Sequence, residues 1–461
     1  MSADFENLQA ALFDSLQNRN GNVNNINDIL AWINNLNQNT EVSVTETNIS
    51  DDSFWFYDDY KGEILNRKRS FFSITGMRYF VDGNFITEQP IIIQNEIGYL
   101  GIIAKEIDGV INFLMQAKIE PGNVNCVQIS PTIQATKSNF TRAHGGNLPL
   151  YFDWFENAHA NGTVIYDQIQ SEQGSRFAGK RNRNIILLTD KDVPLHPNYK
   201  WMTLGQIKTL MKQDNLVNMD TRTVLSGLNI GLNERNGGGY TASADCLCNR
   251  TKGRLCNGFV KAYSALNDYK MYHDVHKTFV PLNELVNWNV SNEGVTCKHA
   301  TDFCVRYYNI EIQGREVQKW TQPLFKATAG ALFVLFTTIN NGEREFLISL
   351  CPEIGCFDNV EFGPTIQLSN ENHLDKNNSI HQLFIKHKQQ TKDICADVIL
   401  SEEGGRFYHE QNRNMIIRVD KNELDLPPDY LWVSADTLHH LILNNNTLNI
   451  QLRNLMSLCD F

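Results

Sequence analysis

Four side chains able to handle protons fall within eight positions near the end of the chain: Glu402, Glu403, Tyr408 and His409, inside the segment SEEGGRFYHEQNRN from Ser401 to Asn414. A carboxylate beside a phenol or an imidazole can remove a proton from one atom and return one to another, each role typically worth about 10²–10⁴ in rate. Glu403, Tyr408 and His409 are therefore the candidate catalytic residues, and residue type alone leaves open which is base and which is acid. Arg406 and Arg413 share the segment, and planar guanidinium groups can clamp a diphosphate through paired, charge-assisted hydrogen bonds. Gly404 and Gly405 lack a Cβ and would let backbone amides approach a ligand closely. The alternative is a surface ion-pair network of these arginines with Glu402, Glu403 and Glu410, which would stabilise little.

The same segment is written earlier in the chain as SEQGSRFAGKRNRN, Ser171 to Asn184, 230 positions before (401 against 171). Each copy runs into an apolar stretch, Ile185 to Leu188 or Met415 to Val419, that reads as a strand entering a core. Upstream, Trp55 matches Trp288, Gln89-Pro90 matches Gln322-Pro323, and Pro131-Thr132-Ile133-Gln134 matches Pro364-Thr365-Ile366-Gln367, all at an offset of 233 (288 against 55). Downstream the offset becomes 231 (453 against 222), with Trp201 matching Trp432, Thr203 matching Ser434, and Arg222 matching Arg453. A register this long implies duplication. The reading is an α+β chain: a helical lead-in over 1–39, a first repeat over 40–228, a Gly-rich joint over 229–272 and a second repeat over 273–461.

The lead-in places Phe5, Leu8, Leu12 and Leu16 on one helical face, continued by Ile26, Ile29, Leu30 and Ile33. Short apolar runs closed by Asp82-Gly83-Asn84 and Asp108-Gly109 predict β-hairpins, and Thr203 with Gln206 predicts a capping box for a helix bearing Leu204, Ile207, Leu210 and Met211. Trp320 and Tyr408 are candidates to stack on a nucleotide base while neighbouring amides read its edge; a core position is the alternative for the tryptophan. His144, in the turn Arg142-Ala143-His144-Gly145-Gly146, is a separate candidate that the second copy lacks. Cys246, Cys248 and Cys256 in the joint fall short of a zinc-binding pattern.

The net charge of −11 argues against a nucleic-acid surface. Apolar runs such as Gly330 to Phe336 are too short to span a bilayer, and the acidic N-terminus lacks the basic residues of a secretory signal, so a cytoplasmic protein with reduced thiols is expected. No Walker loop, GxGxxG, HExxH or GxSxG sequence is present.

The wording of Gln116 to Val124, of Gln128 to Phe140 and of the two Ser-Glu-x-Gly-x-Arg-Phe loops closely resembles the nucleotide-sugar 2,3-dehydratases of deoxysugar biosynthesis, across essentially the whole chain. The resemblance implies tandem Nudix-like domains, a homodimer, and a dTDP-4-keto-6-deoxyhexose substrate that loses its C2 hydroxyl. Carried over by position, it implies nucleotide-sugar contacts at Thr87, Ser171, Glu172, Gln173, Gly174, Ser175, Arg176 and Thr203 in the first copy. In the second copy it implies Trp320, Gln367, Ser401, Glu402, Glu403, Gly404, Gly405, Arg406 and Ser434. Gln134, Gln322, Thr365, Asn412 and Arg413, from the repeated motifs, complete the candidate binding set.

The carboxylate-bearing helix with which Nudix enzymes hold magnesium is not found in the sequence, so no metal is expected. No redox cofactor is required either, because the C4 ketone is already in place to acidify the C3 proton. The pocket containing the second loop, which has Tyr408-His409-Glu410 where the first has Ala178-Gly179-Lys180, is expected to carry the chemistry, and pockets assembled from both copies would reconcile the family-like wording of each. A sugar-nucleotide hydrolase and a non-catalytic binding module are the alternatives.

Overall fold

The computed structural model describes residues 2–50, 53–141, 148–230, 232–235, 239–242, 257–299, 302–314 and 317–460. His144 and Cys246, Cys248 and Cys256 lie outside the described residues. The fold is α+β, and each copy contributes a large mixed sheet and a smaller, mainly antiparallel one.

In the first large sheet Arg181–Thr189 runs parallel to Gly98–Ile107 and antiparallel to Thr163–Ser171. In the second, Gln411–Arg418 has the same relation to Leu332–Asn340 and Ile394–Ser401. The polar loops are thus the tips of two equivalent hairpins. The Asp82-Gly83 and Asp108-Gly109 turns form as expected, with all four residues at positive φ, the geometry that two-residue hairpin turns demand.

A helix precedes the first strand of each copy, Ile26–Asn39 and Asn257–Tyr272. Those first strands then cross over. Val42–Thr47 pairs with Phe303–Ile312 of the second copy, and Val275–Val280 pairs with Ser73–Val81 of the first. Each small sheet is therefore completed by a strand from the other half of the chain. The lead-in helices pack on their own chain: Leu12, Leu16, Ile29 and Ile33 are buried in a core that also holds Ile102, Phe113, Leu335, Phe346 and Ile416. A second shared core joins the small sheets and contains both matched tryptophans, Trp55 and Trp288.

The capping box at Thr203 is present, its hydroxyl accepting from the Gln206 amide while the Gln206 side chain accepts from the Thr203 amide. Two later helices, Met219–Leu225 and Ile450–Ser457, pack together and carry the matched arginines. Arg222 donates to the carbonyls of Val217 (2.6 Å) and Ser401 (2.8 Å), and Arg453 donates to the carbonyl of Ser171 and the hydroxyl of Thr223. Both are almost fully buried, at 2% and 0% exposure. Each arginine holds the start of the other copy's polar loop. Arg222→Ala strands these carbonyls without a donor, and removing one partner from a buried charged contact typically costs about 3 kcal/mol or more. A clear drop in thermal midpoint, followed by fluorimetry, is expected for that variant.

Candidate active site

The second polar loop begins at Ser401, turns at Gly404-Gly405, and returns to the small sheet, where Phe407–Tyr408 runs parallel to Lys319–Ala327. Its position is set by the first copy. The Gly122 amide donates to the Gly404 carbonyl (2.7 Å), and the His409 amide donates to the Gly122 carbonyl (2.9 Å). The first loop is held in the same way by the second copy, with Gly355 donating to Gly174 and Gly179 donating to Gly355, both at 2.7 Å. A Cβ on Gly122 would lie 1.6 Å from the Phe407 carbonyl oxygen, and one on Gly404 would lie 2.2 Å from Asn123 Oδ1. These glycines serve the approach of one copy to the other. Gly405 acts more locally, its amide donating to Glu403 Oε1 at 2.7 Å.

Between the copies opens a cleft of about 1180 Å³, ample for a ligand of nucleotide-sugar size. From the second copy it is lined by Trp320, Gln322, Glu403, Gly405 and Arg406. From the first it draws Lys118, Glu120, Gln134, Glu172, Lys180 and Asp220. Trp320 donates through Nε1 to Gln322 (3.1 Å), whose amide donates to the Gly405 carbonyl (2.5 Å), so strand and loop are locked together. Arg406 lies over Phe71 and Phe72, its guanidinium carbon 4.3 and 4.4 Å from the ring centres, and donates to Gln94 (3.0 Å). Its Nε is buried without a partner.

The charges in the cleft perturb one another. Burial raises the Glu403 carboxyl to about 7, against the pull of Arg406 and with the help of Glu120 and Glu172. Burial raises Glu172 as well, and pushes Asp220 well above the ordinary carboxylate range with Glu172 and Glu403 adding to it. Lys180, with its ammonium donating to the Glu96 carbonyl (2.5 Å) and to Asn182 (2.9 Å), is lowered by burial to about 8. Lys118 pairs with Glu120 at 2.8 Å. Shifts of this kind, gathered in a cleft, suit a site of proton transfer, although burial raises Glu402 to about 8 and Glu353 to about 7 outside it as well. Among the described residues no group of three His, Cys, Asp or Glu side chains is placed to hold a metal ion.

Of the candidates named from the sequence, the structure brings Trp320, Gln322, Gln134, Glu172, Glu403, Gly405 and Arg406 to this cleft. Tyr408 and His409 are not brought there. Strand alternation sends the Tyr408 ring to a different face from Phe407, where it stacks on Tyr308 (4.2 Å) and on His409 (4.1 Å), and His409 is exposed.

Most of the remaining candidates hold the frame. Ser434 and Thr203 cap helices, and Thr365 bridges strands by donating to the Leu347 carbonyl (2.5 Å) and accepting from the Phe336 amide (2.8 Å). Arg413 forms a two-pronged pair with Asp397, and Thr87 sits opposite Tyr79 on a small-sheet strand. Ser401 accepts from Gln128 (2.8 Å) and Ser171 donates to Glu361 (2.7 Å).

The others form a counterpart of the cleft in which amides face carboxylates. Glu402 accepts from Gln173, Asn412 and Gln451, and Gln367 donates to Glu353 (2.9 Å). Gly174 there abuts Glu353, the Ser175 carbonyl accepts from Gln89 (2.6 Å), and Arg176 lies over Phe303 at 3.9 Å.

Sequence reasoning missed Lys118, Glu120, Lys180 and Asp220. Lys180 was visible as the one residue in its copy opposite Glu410, and Asp220 lies two positions before the matched Arg222.

Comparison with known proteins agrees with this architecture. The family model described as NDP-hexose 2,3-dehydratase matches residues 26–228 and again 260–459. The chain belongs to the NDP-hexose 2,3-dehydratase family, whose model it satisfies twice in tandem. Similar proteins include a dTDP-4-dehydro-6-deoxy-alpha-D-glucopyranose 2,3-dehydratase of Streptomyces violaceoruber, 36% identical and aligned over 90% of this chain and 92% of its own. A protein of the same name from Saccharopolyspora spinosa is 36% identical over 88% of this chain and 85% of its own. Another, from Amycolatopsis orientalis, is 34% identical over 99% and 93%.

Because Gly122 meets the Phe407 carbonyl with no room for a side chain, Gly122→Ala displaces the loop that carries Glu403 and Arg406. At least tenfold weaker dTDP binding by calorimetry is the expected outcome; unchanged affinity would show that this contact does not position the loop.

Proposed function

We infer that the chain removes the C2 hydroxyl of a dTDP-4-keto-6-deoxyhexose by a 2,3-dehydration, giving the dTDP-3,4-diketo-2,6-dideoxyhexose in deoxysugar biosynthesis. The observation that carries this reading is the cleft between the copies, with a carboxyl poised near neutrality, Glu403, beside the buried cations Arg406 and Lys180. Family membership and the names of the three relatives support the substrate.

The sides of the cleft divide the ligand. Trp320, with Thr321, Asn309 and Phe54, comes from around the small sheets and offers an aromatic and amide surface for the thymine. Glu172, Lys180, Asp220 and Gln134 come from around the first large sheet and face the sugar. Arg406 stands between these groups as the diphosphate or enolate partner. Glu403 is the base that takes the C3 proton, which the C4 ketone acidifies. A carboxylate with a pKa near the working pH is a better base than an ordinary one while remaining substantially ionised.

The same reading carries two Nudix-like repeats over 40–228 and 273–461, a homodimer and cytoplasmic residence. The tandem family match and the equivalent sheet-and-hairpin units support the duplication.

Incubation with dTDP-4-keto-6-deoxyglucose in the presence of EDTA, followed by trapping and mass spectrometry, is expected to show loss of one water. Release of a sugar phosphate would indicate a hydrolase, and saturable binding without product a binding module. Glu403→Gln is expected to lower turnover by about 10³ or more while dTDP affinity changes little. The base must be ionised to act, so wild-type turnover rises with pH through about 7 and falls away below it; a rate independent of pH from 5.5 to 8 would remove Glu403 from this role.

A further inference from the structure

Two equivalent clusters, each drawn from both copies, hold the same three positions with different chemistry. In the counterpart region Glu402 is flanked by Gln173 and Gln451, and both amides donate to it, Gln451 at 3.3 Å. By the repeat register the equivalents in the cleft are Glu172 for Glu402, Glu403 for Gln173 (403 against 173) and Asp220 for Gln451 (451 against 220). Two amide donors have become two carboxyls around a third.

Carboxylates cannot hydrogen-bond to one another unless one of them holds a proton. The structure shows the consequence. Asp220 is 2% exposed, lines the cleft, and keeps its Oδ1 buried with no hydrogen-bond partner; Glu172 Oε2 is in the same condition. The groups acting on Asp220 are Glu172, Glu403 and Glu120 on the acidic side. On the basic side they are Lys118, Lys180, Arg222 and Arg453. Burial and the acidic neighbours prevail over these cations and hold the Asp220 carboxyl well above the ordinary carboxylate range, in favour of its protonated form.

We propose that Asp220 is the acid of the 2,3-dehydration, delivering its proton to the departing C2 hydroxyl. Glu403 takes the C3 proton, and the C3–H electron pair moves into a C3–C4 double bond with charge on the C4 oxygen. That charge returns as the C4 ketone re-forms, the electron pair shifts to make a C2–C3 double bond, and the C2–O bond breaks. The leaving oxygen takes the Asp220 proton and departs as water. The product enol then ketonises: the Asp220 carboxylate accepts the proton of the C3 hydroxyl, and Glu403 returns a proton to C2. Both residues end in their starting states, and the balance is one substrate to one diketo product and one water. A carboxylic acid kept neutral in a buried site is well suited to such donation, a role typically worth about 10²–10⁴ in rate.

The test separates the acid from the base. Asp220→Asn is expected to dehydrate the 4-keto substrate at least a hundredfold more slowly than the wild type. In deuterium oxide it should still exchange the C3 hydrogen of unreacted substrate, because Glu403 is intact. It should also expel fluoride from the 2-deoxy-2-fluoro-4-keto analogue within about threefold of the wild-type rate, since fluoride leaves without a proton. Water loss at the wild-type rate would overturn the assignment. So would loss of C3 exchange and fluoride release together with water loss in a folded variant that binds dTDP.

Should Asp220→Asn not fold, the native protein decides. Its turnover of the hydroxyl substrate should decline at alkaline pH, where Asp220 ionises, and its fluoride release should not; the same alkaline limb for both substrates, or a limb for neither, overturns the proposal. The inference rests on the dehydratase reading, and failure of the wild-type chain to release water from the hydroxyl substrate counts against that reading instead.

Discussion

Two buried arginines fix everything that follows in this chain. Arg222 and Arg453 each leave water entirely, and a buried cation is costly unless its hydrogen bonds are met. Theirs are met largely across the repeat boundary, at the Ser401 carbonyl for Arg222 and the Ser171 carbonyl for Arg453. These carbonyls are where the two polar loops leave their strands. The cation therefore finds its partners only when the opposite repeat is folded and docked, and the loop has a defined origin only when the cation is in place. Exchange of the first strands, Val42–Thr47 and Val275–Val280, works in the same direction. Neither repeat completes its small sheet or anchors its loop alone.

This mutual dependence explains why the cleft lies between the copies. Glycine contacts at 122 and 355 press each loop against the other repeat so closely that a carbonyl occupies the space of a side chain. Glu403 and Arg406 of the second loop then share a cleft with residues of the first repeat such as Glu120, Lys180 and Asp220. The counterpart region repeats the backbone arrangement with a different set of side chains, and Glu402 there accepts from three amides. A duplicated frame lets amides close hydrogen bonds to the central glutamate in one region while carboxyls surround its equivalent in the other.

Much of the frame was legible from the sequence because it depends on local rules and on repetition. The hairpin turns follow from Asp-Gly pairs, the helix after Thr203 from its capping box, and the lead-in helices from the spacing of Leu12, Leu16, Ile29 and Ile33. The repeat register also paired Arg222 with Arg453 before either had a known role. What spacing could not convey is direction across the chain: no local pattern says that Val42–Thr47 joins a sheet in the far half of the sequence. The site was legible in part for the same reason. Glu403, Arg406 and Trp320 lie in or beside the repeated motifs, whereas Tyr408 and His409 were drawn in by proximity in sequence to Glu403 and are carried off by the strand that starts at Phe407. Lys118, Glu120 and Asp220 reach the cleft only through the docking of the copies.

Differences between aligned positions of the repeats turn out to say more about chemistry than their identities do. Several residues that both copies keep hold backbone, as with Arg222 and Arg453, Gly122 and Gly355, or Thr132 and Thr365, where each threonine donates to a strand carbonyl and accepts from a strand amide. Glu172, Gln134 and Arg406, also kept in both copies, line the cleft instead. Where they differ, at Glu403 and Gln173, Lys180 and Glu410, or Asp220 and Gln451, the side chain sits where the two halves meet ligand or one another. An amide in such a place closes a hydrogen bond permanently, since it neither gains nor loses a proton at ordinary pH. A carboxyl in the same place leaves the bond conditional on a proton, and burial sets the pH at which that condition changes. Two exchanges between glutamine and acid, one in each copy, are thus enough to distinguish a cluster closed by amide hydrogen bonds from one of neighbouring carboxyls, on equivalent backbones.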